Sequence, residues 1–230
     1  MSMKTLLCIG GSSGIGAALI EQLAEDHQIY VASRTAPLFT HPNVNHVVYD
    51  VNNAQTELLT AIGPIDKFAY FPGTINLKPL SMLKLEHFKE EMQLNFFGLV
   101  ETVKAIYPQM NEHSSMVFFS TVAVQTGMPF HSSIASAKGA IEGFTRALAA
   151  EAAPKIRVNA IAPSIVDTPL AGRLLNNEKK VEMIAERHPL KRVGNAQELA
   201  NAAAFLLDEK NGWITGQILK VDGGKSVLSL

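Results

Sequence analysis

The chain has 230 residues, 47% hydrophobic and 18% charged, which is enough apolar material for a full core and excludes disorder as its main state. Twenty Lys and Arg against 21 Asp and Glu leave a formal charge of -1, so no basic field exists to hold a nucleic-acid backbone or an anionic membrane. A small molecule is the expected partner. The single cysteine, Cys8, can form no internal disulfide and fits a reducing cytoplasm. Met1 to Leu7 reads as neither signal peptide nor membrane span, and no run of 18 apolar residues occurs.

In chain order, β-rich runs alternate with helical ones. Thr5 to Ile9 reads as a strand and Ile15 to Glu25 as a helix; Gln28 to Ala32 and Val44 to Tyr49 read as strands, and Ala54 to Ile62 as a helix. Lys67 to Phe71 is a strand, followed by one long helical stretch from about Ser81 to Met110. Ser115 to Ser120 is a strand, Ser136 to Glu151 a helix, Arg157 to Ile161 a strand, Ala196 to Leu207 a helix and Gln217 to Val221 a last strand. The strands LLCI, HVVY, FAYF and MVFF have no polar alternate face, so both faces should be covered, as in a parallel sheet between helix layers. The expected architecture is one α/β domain over 1–230, doubly wound and Rossmann-like, with a seven-stranded parallel sheet and helices on both faces. Only 163–189 breaks the rhythm; lying beyond the carboxyl end of a strand, it reads as a substrate lid or as an ordinary surface helical hairpin.

CIGGSSGIGAALIEQLA sets Gly10, Gly14 and Gly16 between a buried strand and an amphipathic helix. Gly10 lets the chain leave the strand in a tight turn, Gly14 lets backbone approach a pyrophosphate, and Gly16 lets the helix sit close to the sheet. The helix amino terminus then offers N–H groups to phosphate, helped by the Ser12 and Ser13 hydroxyls. With LNFFG around Asn95, VFFSTVA around Thr121, SAKGAIEGFTRALAAE around Lys138, IRVNAIAPSIVDTPL, PLKRVG and ITGQILKVDGG, the chain resembles the short-chain dehydrogenases/reductases over essentially its whole length. The resemblance implies hydride transfer between a nicotinamide cofactor and a carbonyl or alcohol, metal-independent chemistry, and a homodimer or homotetramer packed through the helices around Phe96 and Ile141 to Leu148.

The second strand ends in Ser33-Arg34 with no acid to bind a ribose 2′-hydroxyl, whereas Arg34 can pair with a 2′-phosphate and Ser33 adds a small donor, so NADP(H) is the expected cofactor. The resemblance places Asp50 and Val51 at the adenine and adds Ile15, Gly73, Asn95, Lys138, Pro163, Val166 and Thr168 to the cofactor set. Tyr70-Phe71-Pro72-Gly73 replaces the family's N-N-A-G, and Ser164 stands where its Pro-Gly has glycine, which asks Ser164 for a backbone that glycine reaches more easily.

For catalysis, the resemblance makes Asn95 the holder of a relay water and the lysine, Thr121 the hydroxyl in the place of serine, and Lys138 the lysine that binds the nicotinamide ribose. The tyrosine expected four residues before Lys138 is Ile134. Loss of a general acid is worth roughly 3 to 5 kcal/mol of barrier. His131, seven residues before Lys138, has the spacing at which related enoyl reductases carry their tyrosine and is a substitute proton donor; its plain reading is a solvated loop histidine. No paired histidine spacing points to a metal site. The expectation is an NADP(H)-dependent reductase of a carbonyl or enoyl substrate with an atypical proton donor; the alternative is a catalytically impaired NADP(H)-binding regulatory or scaffold protein.

Overall fold

The structure, a computed structural model, describes residues 3–229. In chain order the elements are β1 Lys4–Ile9, α1 Gly14–Leu23, β2 His27–Ser33, β3 Val44–Val48, α2 Glu57–Thr60, β4 Ile65–Tyr70, α3 Leu85–Met92, α4 Gly98–Ile106, β5 Met110–Phe119, α5 Ala123–Thr126, α6 Ser132–Ala152, β6 Ile156–Pro163, β7 Val166–Asp167, α7 Glu178–Ala185, β8 Gly194–Asn195, α8 Ala196–Leu207 and β9 Ile218–Val221. Seven strands form one parallel sheet in the order β3-β2-β1-β4-β5-β6-β9. The order reverses between β1 and β4, the position at which open α/β sheets bind ligands beyond the carboxyl ends of their strands.

The apolar strands LLCI, FAYF and MVFF are covered on both faces; HVVY, expected to be so, is not, because β3 is an edge strand and Val48 is 69% exposed. Leu7, Ile9, Phe68, Tyr70, Met116 and Phe118 pack in one cluster with Leu99, Val103 and Ile106 of α4 and Ile141 and Leu148 of α6. Their neighbours Leu6, Cys8, Ala69, Val117 and Phe119 turn the other way, onto Leu19 and Ile20 of α1 and Leu199, Ala203 and Leu206 of α8. The two-residue strand period therefore feeds two cores, each fully buried large side chain contributing roughly 1.5–3 kcal/mol.

The expected long helix over 81–110 is broken. It becomes a 3₁₀ turn at Leu80–Met82, then α3, a wide π turn over Gln93–Phe97, α4, and a 3₁₀ turn at Tyr107–Gln109, with Met110 already in β5. The break is held by side chains: buried Asn95 donates from Nδ2 to the Glu91 carbonyl at 2.9 Å, and the Tyr70 hydroxyl donates to the Leu94 carbonyl at 2.8 Å. These bonds occupy carbonyls that a widened turn leaves without regular helical partners. The expected helix over 54–62 shrinks to the single turn α2, ended by Gly63 at φ +92° and Pro64. In contrast, α6 begins at Ser132 rather than Ser136, which puts positions 134 and 138 on one helix.

Candidate active site

A cavity of about 940 Å³ opens along the carboxyl edge of the sheet, at the upper end of the size range of small-molecule sites. Its lining runs from Asp50, after β3, past β2, β1, β4 and β5 to Pro163, at the end of β6. Five strand spacings make that span about 24 Å.

At the centre lies the glycine turn. Gly10 and Gly14 have φ of +67° and +59°, a region that side chains other than glycine's reach at a cost. A Cβ on Gly16 would stand 2.7 Å from the Gly11 Cα, so helix α1 meets the turn backbone to backbone. Ser13 precedes α1 in extended conformation and makes no side-chain capping bond. The first N–H groups of α1 are therefore left for a ligand anion, and Thr168 closes over them, with its Cβ 3.4 Å from where a Gly14 Cβ would be.

At one end, exposed Arg34 joins Ser12, Ser33 and Thr35 in the lining. Ser33 donates its hydroxyl proton to the Thr35 carbonyl at 2.8 Å, and Thr35 donates to Ser12 Oγ at 3.1 Å. Thr35, which the motif reading passed over, thus ties the β2 loop to the glycine turn. Asp50 accepts from the Asn52 N–H at 3.0 Å and still faces the cavity beside buried Val51.

Toward the other end, Lys138, Ile134, His131 and Thr121 line the same wall. Lys138 and Ile134 are one turn apart on α6, 7% and 5% exposed. Burial pushes the Lys138 ammonium down to about 8 against the opposing pull of Glu91. A Cβ on Gly73 would lie 3.3 Å from both the Lys138 Nζ and the Asn95 Oδ1, so glycine there leaves room between them. Asn95 Oδ1 is buried without a hydrogen-bond partner among the described residues; Asn95 itself does not line the cavity but lies behind Gly73, on the same side as the Lys138 Nζ. The Thr121 hydroxyl accepts from the Ala123 N–H at 3.3 Å. His131 immediately precedes α6 without a side-chain capping bond; its Nδ1 lies 2.7 Å from the Pro129 carbonyl, which can only accept, so Nδ1 carries the proton. It is partly exposed but wall-lining, not simply a solvated loop residue.

Two side-chain pairings in this region are not evident from the motifs. Glu91 is 2% exposed and receives the Thr74 hydroxyl, Asn76 Nδ2 at 2.8 Å and Asn95 Nδ2 at 3.0 Å. Only its position one turn before Asn95 hints at this in the sequence. Ser164 and His188 form the other pairing, at 2.8 Å from Oγ to Nε2, with His188 Nδ1 2.8 Å from the Ile184 carbonyl. The carbonyl can only accept, so the proton is on Nδ1 and neutral Nε2 accepts from Ser164. Ser164 does not take a positive φ, contrary to the expected glycine-like strain; its hydroxyl instead anchors buried His188.

Segment 163–189 forms the remaining wall through Leu170, Leu174, Lys180, Met183, Ile184 and Arg187. Its two sides are pinned by the β7–β8 ladder, Val166 opposite Gly194. Among the described residues no three His, Cys, Asp or Glu side chains gather as a metal site, and no helix is long and apolar enough to cross a membrane.

Residues 43–226 match the family model described as enoyl-(acyl carrier protein) reductase. The chain is 32% identical to the 3-oxoacyl-(acyl-carrier-protein) reductase FabG of Chlamydia trachomatis, over 96% of each chain. A short-chain dehydrogenase family protein of Francisella tularensis superposes with a TM-score of 0.90 at 25% identity, covering 99% of this chain and 100% of that one. ElxO with NADP bound superposes with a TM-score of 0.88 at 26% identity, covering 97% of this chain and 99% of ElxO. With the seven-stranded parallel sheet and the glycine turn at its switch point, these matches make the chain a member of the short-chain dehydrogenase/reductase family of nicotinamide-dependent oxidoreductases.

Proposed function

We propose that this protein is an NADP(H)-dependent reductase of a carbonyl or enoyl substrate that works without the family tyrosine. The observation that carries the reading is the single cavity joining the Arg34 end, the glycine turn and the wall of Thr121, His131 and Lys138. The residues fit the cofactor: the space at Gly73 beside the Lys138 Nζ and the open amino end of α1 are each matched to a polar ligand. Arg34 would hold a 2′-phosphate, the Ser33 and Thr35 hydroxyl protons being engaged within the loop, Asp50 would hold the adenine, and Lys138, positioned beside Asn95, the nicotinamide ribose; ElxO, with NADP bound, supports the phosphorylated form. When bound, NADPH supplies the hydride.

The chain's own part is to hold the substrate and deliver a proton. Ile134 stands where the family carries its tyrosine and has no proton to give. Thr121 donates a hydrogen bond to the substrate oxygen, and the Lys138 ammonium stabilises charge developing there. His131, as imidazolium, keeps one N–H on the Pro129 carbonyl and passes the other proton from Nε2 to the substrate; its partly exposed ring reprotonates from water. Segment 163–189 acts as the lid, hinged at the β7–β8 ladder.

Thermal unfolding with NADPH, NADP, NADH and NAD added separately, followed by NADPH oxidation on a carbonyl and enoyl panel, tests the reading. Cofactor at a hundred times its Kd adds about 2.7 kcal/mol to stability. We expect the shift to be confined to the phosphorylated cofactors and to be lost in Arg34→Glu. Equal shifts with all four would refute the Arg34 assignment, and full turnover by His131→Ala would refute the donor. A cofactor shift without turnover, together with activity gained in Ile134→Tyr, would instead support the regulatory reading.

A further inference from the structure

The cavity lining carries five cationic side chains, Arg34, Lys138, Lys180, Arg187 and Lys225, against one carboxylate, Asp50, in a protein whose net charge is -1. The proposed function uses Arg34 and Lys138 for the cofactor. It leaves three cations at the lid end, while Asp50 lies at the opposite end of the cavity.

These three are placed by two separate parts of the chain. In NNEKKVEMIAERH, positions 180, 183, 184 and 187 fall on one helical face, and Lys180, Met183, Ile184 and Arg187 all line the cavity. The acidic residues of the same stretch, Glu178, Glu182 and Glu186, lie outside the lining, and Glu186 pairs with Lys191 at 3.1 Å. Lys180 and Arg187 thus reach the lining while the three carboxylates do not; Lys179 of the same stretch and Arg173 before it lie outside the lining as well. Lys225 arrives from the turn after β9, where the Asp222 carboxylate is engaged by the backbone N–H groups of Gly224 and Ser226 at 2.9 and 2.8 Å. Among the described residues, none of Lys180, Arg187 and Lys225 has a carboxylate within ion-pair distance.

The same cavity carries apolar lining from Met128, Leu170, Leu174, Met183 and Ile184, with Ser164, Thr168 and His188 among them. Leu170 and Met183 are about half exposed, at 52% and 51%, although both face the cavity. Apolar surface held open beside unpaired cations suits a ligand with an apolar chain and a negative end.

We infer that the substrate is an anionic amphiphile: the carbonyl or alkene is followed by an apolar segment against Leu170, Leu174 and Met183 and ends in a carboxylate or phosphate ester held by Lys180, Arg187 and Lys225. The inference rests on the proposed reductase only for where the reacting carbon lies, and binding tests it without turnover. Isothermal titration of octanoate, octyl phosphate and 1-octanol into the full chain, with and without saturating NADPH, reads the site directly.

Both anionic probes are expected to bind about tenfold or more tighter than octanol, and the tighter of the two identifies the headgroup. The triple variant Lys180→Glu, Arg187→Glu, Lys225→Glu should lose that advantage, and the triple glutamine variant should lose part of it. Neither should change octanol binding or the thermal shift given by NADPH. Equal affinity for octanol and the anions, no binding of any probe at millimolar concentration, or anion binding unaltered by charge reversal would overturn the inference. So would a weakened NADPH shift in the variants, because the cations would then belong to the cofactor. A wild-type protein that ignores NADPH but binds the anions through these residues would sink the cofactor assignment and leave this one standing.

Discussion

Lys138 is 7% exposed, and burial holds its ammonium near 8 instead of 10.5. At neutral pH the folded chain therefore carries a buried charge that the unfolded chain would solvate. The drop from 10.5 to about 8 corresponds to about 3 kcal/mol of stability given up below pH 8. That value already includes the favourable pull of Glu91. Lys138→Met keeps an unbranched apolar stem and removes the charge, so it should stabilise the protein by about 3 kcal/mol at pH 7, raising Tm by about 6–12 °C. The gain should also depend on pH in a fixed direction. Between about 8 and 10.5 the unfolded state binds more protons than the folded state, so wild-type stability rises with pH while the variant lacks this contribution. Urea unfolding of both proteins at pH 7, 9 and 10.5 measures the difference, expected to be full at pH 7 and nearly gone at pH 10.5. A variant no more stable than wild type at pH 7, or a gain unaltered at pH 10.5, would refute the reasoning. Turnover on any substrate found should fall in the same variant, since stability and the charged site oppose each other here.

Three further outcomes follow from the same geometry. Glu91→Gln turns an amide donor toward groups that already donate to Glu91 and should cost about 1–3 kcal/mol in urea unfolding; it should also lower the Lys138 pKa further, readable by NMR titration of the lysine. Gly16→Ala forces a Cβ to 2.7 Å from the Gly11 Cα and should cost about 1–3 kcal/mol or more, whereas Gly143→Ala in α6 meets nothing within 4 Å and should add about 0.5–1 kcal/mol; thermal melts that rank them the other way would contradict the packing argument. Burial, and then the Lys67 ammonium, with its Nζ 2.7 Å away, hold the His27 imidazole below its ordinary 6.5, so its contribution is whole above pH 6.5 and is lost as pH falls toward the folded value. His27→Gln removes that titration, and the gap between the two proteins' stabilities should change only below pH 6.5.

The sheet was legible because its cause is local and repeated. LLCI and MVFF leave no polar face, so each strand needs cover on both sides, and Leu6 and Cys8 indeed pack opposite Leu7 and Ile9. The glycine turn was equally legible, since Gly10 and Gly14 carry the backbone angles that their position between strand and helix requires. The break at Asn95 was not. Phe88, Met92, Phe96 and Val100 continue a helical period through it, and the bonds that hold the break come partly from Tyr70, 24 residues away from Leu94.

The end of the cavity around Lys138 divides along the same line. Sequence alone determined which chemistries the side chains offer: a lysine, an asparagine and a hydroxyl at family spacing, with isoleucine at position 134. Tertiary structure decided that Ile134 and Lys138 share one buried helical face and that the Pro129 carbonyl fixes the His131 tautomer. It also gathered Glu91 with Thr74 and Asn76, and joined Ser164 to His188 across 24 residues. The helical period that puts Lys180, Met183, Ile184 and Arg187 on one face is carried by the sequence, but which face meets the cavity depends on how 163–189 returns to the β7–β8 ladder. Spacing along the chain specifies neighbours within an element, whereas burial and desolvation, which lower the Lys138 pKa, arise only when distant elements close around the same volume.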